Sequence, residues 1–197
     1  MSDPKCRGRQ RSAESECAIL TATLQLLEQK PLRDITIEAI AQKAGVGKAT
    51  IYKWWPSKAY VALDSVLTRM EAAVAAPDTG SAKVDFTEQL KSLIRFYTSP
   101  AGRIFCQFIA EGQSDPEFAK LFRERFLAPR RDAVRVIWQR GVERGEVRRE
   151  IDSELVLDLI YGPTIFRLLA GHAPLNDAEA ANIVAAVFAG IEKRPAE

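Results

Sequence analysis

The chain has 197 residues, 47% hydrophobic and 27% charged, which suits an ordinary globular protein of one domain or two small ones. Its formal net charge of +2 does not by itself indicate a polyanionic partner, but residues 1–60 hold ten Lys/Arg against six Asp/Glu, whereas the remainder hold 18 against 20. Cys6, Cys17 and Cys106 form no C-x-x-C pair, which argues against a disulfide framework and suits a reducing cytoplasm, while the lone His172 beside Gly171 reads as a loop residue, so no metal is expected.

The N-terminal tail carries Lys5, Arg7, Arg9 and Arg11. Polar Ser12, Glu14, Ser15 and Glu16 follow where a signal peptide would have its apolar core, so export by that route is not expected. The tail has two readings: a basic arm that follows the DNA backbone or minor groove, or a disordered start that adds weak charge attraction. From Ser12 to about Gln29 the residues Ala13, Cys17, Leu20, Leu24 and Leu27 keep helical spacing, with Ser12 as cap and Pro31 at the exit.

A second helix follows at once. Thr36 can cap it, and Ile37, Ile40, Ala41 and Ala44 fall at i, i+3, i+4 and i+7. Gly45 supplies a left-handed stop, Val46 can plug the corner, and a third helix is predicted from about Lys48 to Trp54. This is a helix-turn-helix. Its last helix is unusually rich in donors and flat rings, with Lys48, Thr50, Tyr52, Lys53 and Trp54 around the two inward candidates Ile51 and Trp55. Such a surface suits a polyanion. Ala41, Ala44, Gly45 and Val46, then Thr50, Ile51 and Tyr52, then Trp55, Pro56, Ser57 and Lys58 resemble the DNA-binding segment of the TetR/AcrR family of transcriptional regulators. The resemblance is specific over roughly residues 12–60.

Ser57 can cap a fourth helix that turns Leu63, Val66, Leu67, Met70 and Val74 inward before PDTGS at 77–81 breaks it. Every later segment reads helical. Phe86 to Thr98 forms one helix, and Ser99-Pro100 and Asp115-Pro116 each offer an N-cap followed by a proline at the first helical position. Pro129 predicts a kink or one-turn interruption in the long helix after Asp115, and Gly162-Pro163 a bend in the helix Leu155 to Leu169 capped by Asp152. N-D-A-E at 176–179 resembles a capping box for a last helix through Ile191, and the apolar run 183–191 is about half of the roughly 20 residues a membrane span needs, so no membrane partner is expected. The predicted fold class is all-α with about nine helices.

The resemblance implies three helices in a tri-helical, homeodomain-like DNA-binding domain and about six in a variable regulatory and dimerisation domain, divided here as 1–56 and 57–197. Within it, Lys48, Ala49 and Lys53 are the candidates for base contacts, since lysine donates to guanine O6 or N7 and an alanine methyl touches a thymine methyl. Thr36, Thr50, Tyr52, Trp54 and Lys58 are the candidates for phosphate. Gly47 stands where the family often has Ser or Asn, and Glu38 sets a carboxylate near the recognition helix.

One such helix reads about four to six base pairs, so a homodimer on double-stranded DNA is expected. Leu155, Leu159 and Phe166 with Ala180, Val184, Val187 and Ile191 are the candidate seam, or else face the chain's own core. Phe96, Tyr97, Phe105, Phe108, Phe122, Trp138, Tyr161 and Phe166 supply aromatic surface for a small apolar or aromatic effector, or else a filled core. Arg95, Arg103, Glu111 and Arg167 are candidates for a ligand's polar end. The expected function is a ligand-responsive regulator, a repressor by family resemblance, that leaves a palindromic operator when the effector binds. The competing reading is an effector-independent DNA-binding protein with a structural C-terminal domain. No phosphate loop, nucleophile with a histidine partner or metal-ligand spacing supports an enzyme, and no cofactor is expected.

Overall fold

A computed structural model describes the backbone of residues 4–73 and 76–191 and the side chains of 13–70 and 76–191. Among the described residues there are nine helices and no strand. They are α1 (Pro4–Leu27), α2 (Ile37–Ala44), α3 (Lys48–Tyr52), α4 (Lys58–Ala73), α5 (Ala82–Tyr97), α6 (Pro100–Ser114), α7 (116–143), α8 (Ser153–Ala170) and α9 (Asp177–Ile191). A single 3₁₀ turn, Leu32–Asp34, joins α1 to α2. None of these helices is long and apolar enough to cross a membrane.

Most of the expected caps form, although Ser12 lies inside α1 and the hydroxyl of Ser57, just before α4, accepts no amide among the described residues. Thr36, Ser99 and Asp152 accept from Ala39 N, Gly102 N and Glu154 N, and Asp115 accepts from both Glu117 N and Phe118 N. Asn176 accepts from Glu179 N at 3.0 Å, as the N-D-A-E sequence predicts. Each such cap satisfies amide groups that a helix start leaves without a partner, worth about 1 kcal/mol.

Helix α1 differs from expectation in two ways. It starts at Pro4 instead of Ser12, and its buried face is Ile19, Ala22, Thr23, Leu26 and Leu27, with Cys17 exposed and Leu20 and Leu24 half-buried. Thr23 can take a core position because its hydroxyl donates to Ile19 O at 2.7 Å. The side chains of Cys6 and of the basic tail lie outside the described residues.

Helix α4 is the member shared by both halves of the fold. It buries Val61, Ala62, Leu63, Val66 and Met70 and packs on α1 as well as on α5, α6 and α7. A second tie runs from Gln107 Nε2 on α6 to Leu27 O, the end of α1, at 3.3 Å.

The interruption expected near Pro129 is a π-helical turn, Arg123–Leu127, between the α-helical stretches Pro116–Phe122 and Ala128–Glu143 of α7. Ala128 N–H reaches back five residues to Arg123 O, and Pro129 has no N–H to continue the α-helical ladder. In α8, by contrast, Pro163 sits inside an unbroken helix.

Close helix crossings fix the rest. A Cβ on Gly102 would lie 2.0 Å from Phe96 O and 2.5 Å from Tyr97 Cα, so the turn from α5 into α6 closes only with glycine there. Gly112, on the same helix, meets Ala119 at an ordinary 3.5 Å. Gly102→Ala is therefore expected to destabilise the fold by about 3 kcal/mol or more, whereas Gly112→Ala should be neutral or gain up to about 1 kcal/mol from helix propensity. Urea denaturation midpoints of the two variants check the contrast.

Candidate DNA-binding face and regulatory pocket

Between α2 and α3 the chain turns at Gly45, whose φ of 68° and ψ of 31° are left-handed, and Val46 N donates to Ala41 O at 3.0 Å. A side chain at that φ would be strained, which explains glycine at this corner. Helix α3 is then held by one anchor. Ile51 is fully buried, while Lys48, Ala49, Tyr52 and Lys53 are exposed and Thr50 is half-buried. The base-reading candidates Lys48, Ala49 and Lys53 thus share the outer surface of the corner. Tyr52 joins them at 55% exposure.

The phosphate candidates separate into two groups. Thr36 is exposed and its oxygen accepts from Ala39 N, which leaves the hydroxyl proton to donate outward. Lys58 donates its ammonium to Arg33 O and Ile35 O, both at 2.9 Å, which ties α4 to the 3₁₀ turn and leaves one of its three N–H donors for phosphate. Trp54 is half-buried against the core, its ring edge-on to Trp55 with centroids 5.5 Å apart. Helix α3 ends at Tyr52, so Lys53 and Trp54 belong to the turn after it.

Lys48 has a partner in the free chain. Its Nζ lies 3.0 Å from Glu38 Oε1, a pair that raises the affinity of the lysine for its proton and lowers that of Glu38. Both groups are exposed, so the pair contributes little to stability and competes with any anion for Lys48.

Behind this face, Trp55 is 3% exposed and its Nε1 donates to Asp64 Oδ2 at 2.7 Å. The other oxygen of Asp64 accepts from Arg125 Nη2 at 3.1 Å, and the Arg125 guanidinium stands 5.2 Å from the centre of the Tyr60 ring. Arg125 belongs to the π-helical turn of α7. The next two residues of that turn, Phe126 and Leu127, line a cavity of ≈ 90 Å³ among α4, α5, α6, α7 and α8.

Of the eight aromatic candidates for a ligand site, Tyr97, Phe105 and Tyr161 line this cavity. The other five do not. Phe96, Phe108 and Trp138 are buried core residues, Phe122 stacks on Phe126 with ring centroids 5.1 Å apart, and Phe166 is 64% exposed against the His172 ring. Arg95 and Arg167 are paired with Asp177 and Glu179, and Arg103 points to Thr98 O. The polar lining comes instead from Gln89, Arg130 and Arg131, which pattern reading missed. Gln89 carries a signal in the sequence, because it sits at i+3 from Phe86 on the apolar stripe that continues through Leu90 and Leu93.

The seam expected on the last two helices is half present. Leu155, Leu159 and Phe166 are exposed on α8, at 53%, 47% and 64%, and Leu169 extends their row. On α9, however, Ala180, Val184 and Ile191 are buried in the chain's own core and Val187 packs against it, because that face of α9 covers α5 and α8. The exposed face of α9 consists of Asn182, Ala185, Ala186, Ala189 and Gly190.

Comparison with known proteins agrees with this geometry. Residues 19–63 match the family described as bacterial regulatory proteins, tetR family, and residues 76–187 match the tetracyclin repressor-like C-terminal domain. The chain is 39% identical to the HTH-type transcriptional regulator YdeS of Bacillus subtilis over 94% of each chain. It is 27% identical to the DNA-binding transcriptional repressor TetR of Mycobacteroides abscessus over 87% of this chain and 88% of that one. The crystal structure of the TetR family transcription regulator SCO0332 superposes with a TM-score of 0.78 at 32% identity, covering 92% of this chain and 100% of that one. The chain therefore belongs to the TetR family of helix-turn-helix transcriptional regulators.

Proposed function

We propose that the protein is a ligand-responsive repressor that binds a palindromic DNA operator as a homodimer and releases it when a small apolar or aromatic effector enters the cavity bounded by α4 to α8. Residues 1–56 form the output unit and residues 57–197 the sensing and dimerisation unit. The observation that carries this reading is the Asp64 carboxylate, which joins Trp55, behind the DNA-facing helix, to Arg125, in the turn that lines the cavity. Repression is the stated role of the Mycobacteroides abscessus relative, and it is taken for this chain on that likeness.

Exposed Lys48, Ala49 and Lys53 read bases, while Thr36, Thr50 and Tyr52 hold the phosphate backbone. Two copies joined through α8 and α9 set two α3 helices about one DNA turn, 34–36 Å, apart. The large exposed side chains of α8 and the small exposed ones of α9 suit a twofold interface in which bulk on one helix meets space on another. Effector binding favours a form with a different separation, and it shifts the population only as far as its affinities for the two forms differ.

Selection of bound fragments from random DNA should recover a palindrome with half-sites about one helical turn apart. Recovery of a single half-site, or of no preferred sequence, would remove this function. Lys48→Ala should cost roughly 1 to 3 kcal/mol and relax one base position. Glu38→Gln frees Lys48 from its carboxylate and should tighten DNA binding at low salt, with the gain fading as salt rises. Leu159→Glu and Phe166→Glu place charges on the exposed row of α8 and should give a monomer mass by light scattering at micromolar concentration. Arg125→Leu and Asp64→Asn should change operator affinity in the same direction, and the double variant no more than Asp64→Asn alone, because Asp64 holds both Trp55 and Arg125.

A further inference from the structure

The cavity has a polar side whose chemistry is one-sided. Gln89 is 1% exposed, and its Oε1 accepts from the Tyr161 hydroxyl at 2.7 Å. That bond fixes the carboxamide, and its NH₂ group makes no hydrogen bond among the described residues. Tyr97 is 4% exposed and its hydroxyl likewise has no hydrogen-bond partner among them. Both residues line the cavity.

Other lining groups reinforce the bias. Burial pushes the phenols of Tyr97 and Tyr161 well above their usual range, so both keep their protons and remain donors. Two more lining residues, Arg130 and Arg131, are cationic, and among the described residues no carboxylate lines the cavity. Arg131 is engaged by Glu154 and Asp158, which anchors it to α8, and the Tyr161 hydroxyl is spent on Gln89, whereas the Gln89 amide and Tyr97 hydroxyl are lining donors with no acceptor among the described residues. The rest of the wall is apolar, including Met70, Leu93, Phe105, Val134 and Ile165. On a wall that is otherwise apolar, these two donors favour a ligand that brings an acceptor to them.

We infer that the effector is a small ring-bearing molecule with a hydrogen-bond acceptor oxygen, a carbonyl or carboxylate, received by the Gln89 amide and the Tyr97 hydroxyl. The inference rests on the reading of this cavity as the effector site. Its volume of ≈ 90 Å³ is below the roughly 150 Å³ that holds benzene, so even a single-ring ligand enters by moving the wall. Leu127, 37% exposed and part of the π-helical turn, forms the rim where that movement falls. The same turn carries Arg125, so a ligand seated on Gln89 and Tyr97 that presses this rim acts on the contact with Asp64.

Three probes of nearly one shape separate the possibilities: acetophenone with a carbonyl, α-methylstyrene with a methylene in its place, and benzoate with an anionic acceptor. Dissociation constants on the full chain are measured by titration calorimetry or NMR. The quantity that matters is the affinity ratio of an oxygen-bearing probe to α-methylstyrene. Gln89→Met should lower that ratio about tenfold, as for one lost hydrogen bond. Tyr97→Phe removes only a hydroxyl without a protein partner and should lower it about three- to tenfold with the fold intact, which covers the case in which Gln89→Met fails to fold. Preference for acetophenone identifies a neutral effector class and preference for benzoate an acidic one, and either supports the inference. If the probes bind but the ratio is the same in wild type and both variants, the donor wall is wrong and the effector pocket stands. If none of the three probes binds the wild-type chain, the inference fails together with the pocket reading beneath it.

Discussion

One carboxylate bridges the helix-turn-helix and the π-helical turn of α7. Asp64 stands on α4 and gives one oxygen to the indole of Trp55 and the other to the guanidinium of Arg125. The first bond is charge-assisted and partly buried, in a class worth about 1.5 to 3 kcal/mol, whereas the second is a more exposed ion pair worth at most about 1 kcal/mol. The inequality is informative. Trp55 is fastened firmly to α4, and Arg125 is the weaker partner, the one that can leave without unfolding anything.

The backbone on the Arg125 side has a matching property. Its π-helical turn adds a residue to the helical circuit, and the proline two positions beyond it denies α7 the ladder bond that would remove the irregularity. The segment beside the cavity is therefore held irregular, while α4 is locked into the core through Val61, Leu63, Val66 and Met70. Lys58 extends this hold to the 3₁₀ turn through two carbonyls, which fastens α4 to the helices before it.

What could be read from the sequence was local. Caps at Thr36, Ser99, Asp115 and Asp152, the glycine corner and the irregularity before Pro129 depend on residues within a turn or two of one another, and the structure forms each of them. Faces were less legible. On α1 the buried stripe includes Thr23, which a polar residue hides, and on α9 both faces are apolar, so periodicity could not say whether Val184 or Ala185 turned inward. Contacts between distant segments were not legible at all: nothing in the local pattern joins Asp64 to Arg125, and aromatic spacing alone did not separate Tyr161, which meets the cavity, from Phe108, which fills the core.

The single anchor of α3 has an evolutionary consequence. Lys48, Ala49 and Lys53 are exposed, so replacing any of them removes almost no packing, whereas Ile51 and Trp55 beneath them are fixed by burial. This outer face can therefore drift through many sequences while the scaffold stays equally stable. A lineage of such proteins can remodel the outside of one short helix-turn-helix corner with the C-terminal helices inherited unchanged.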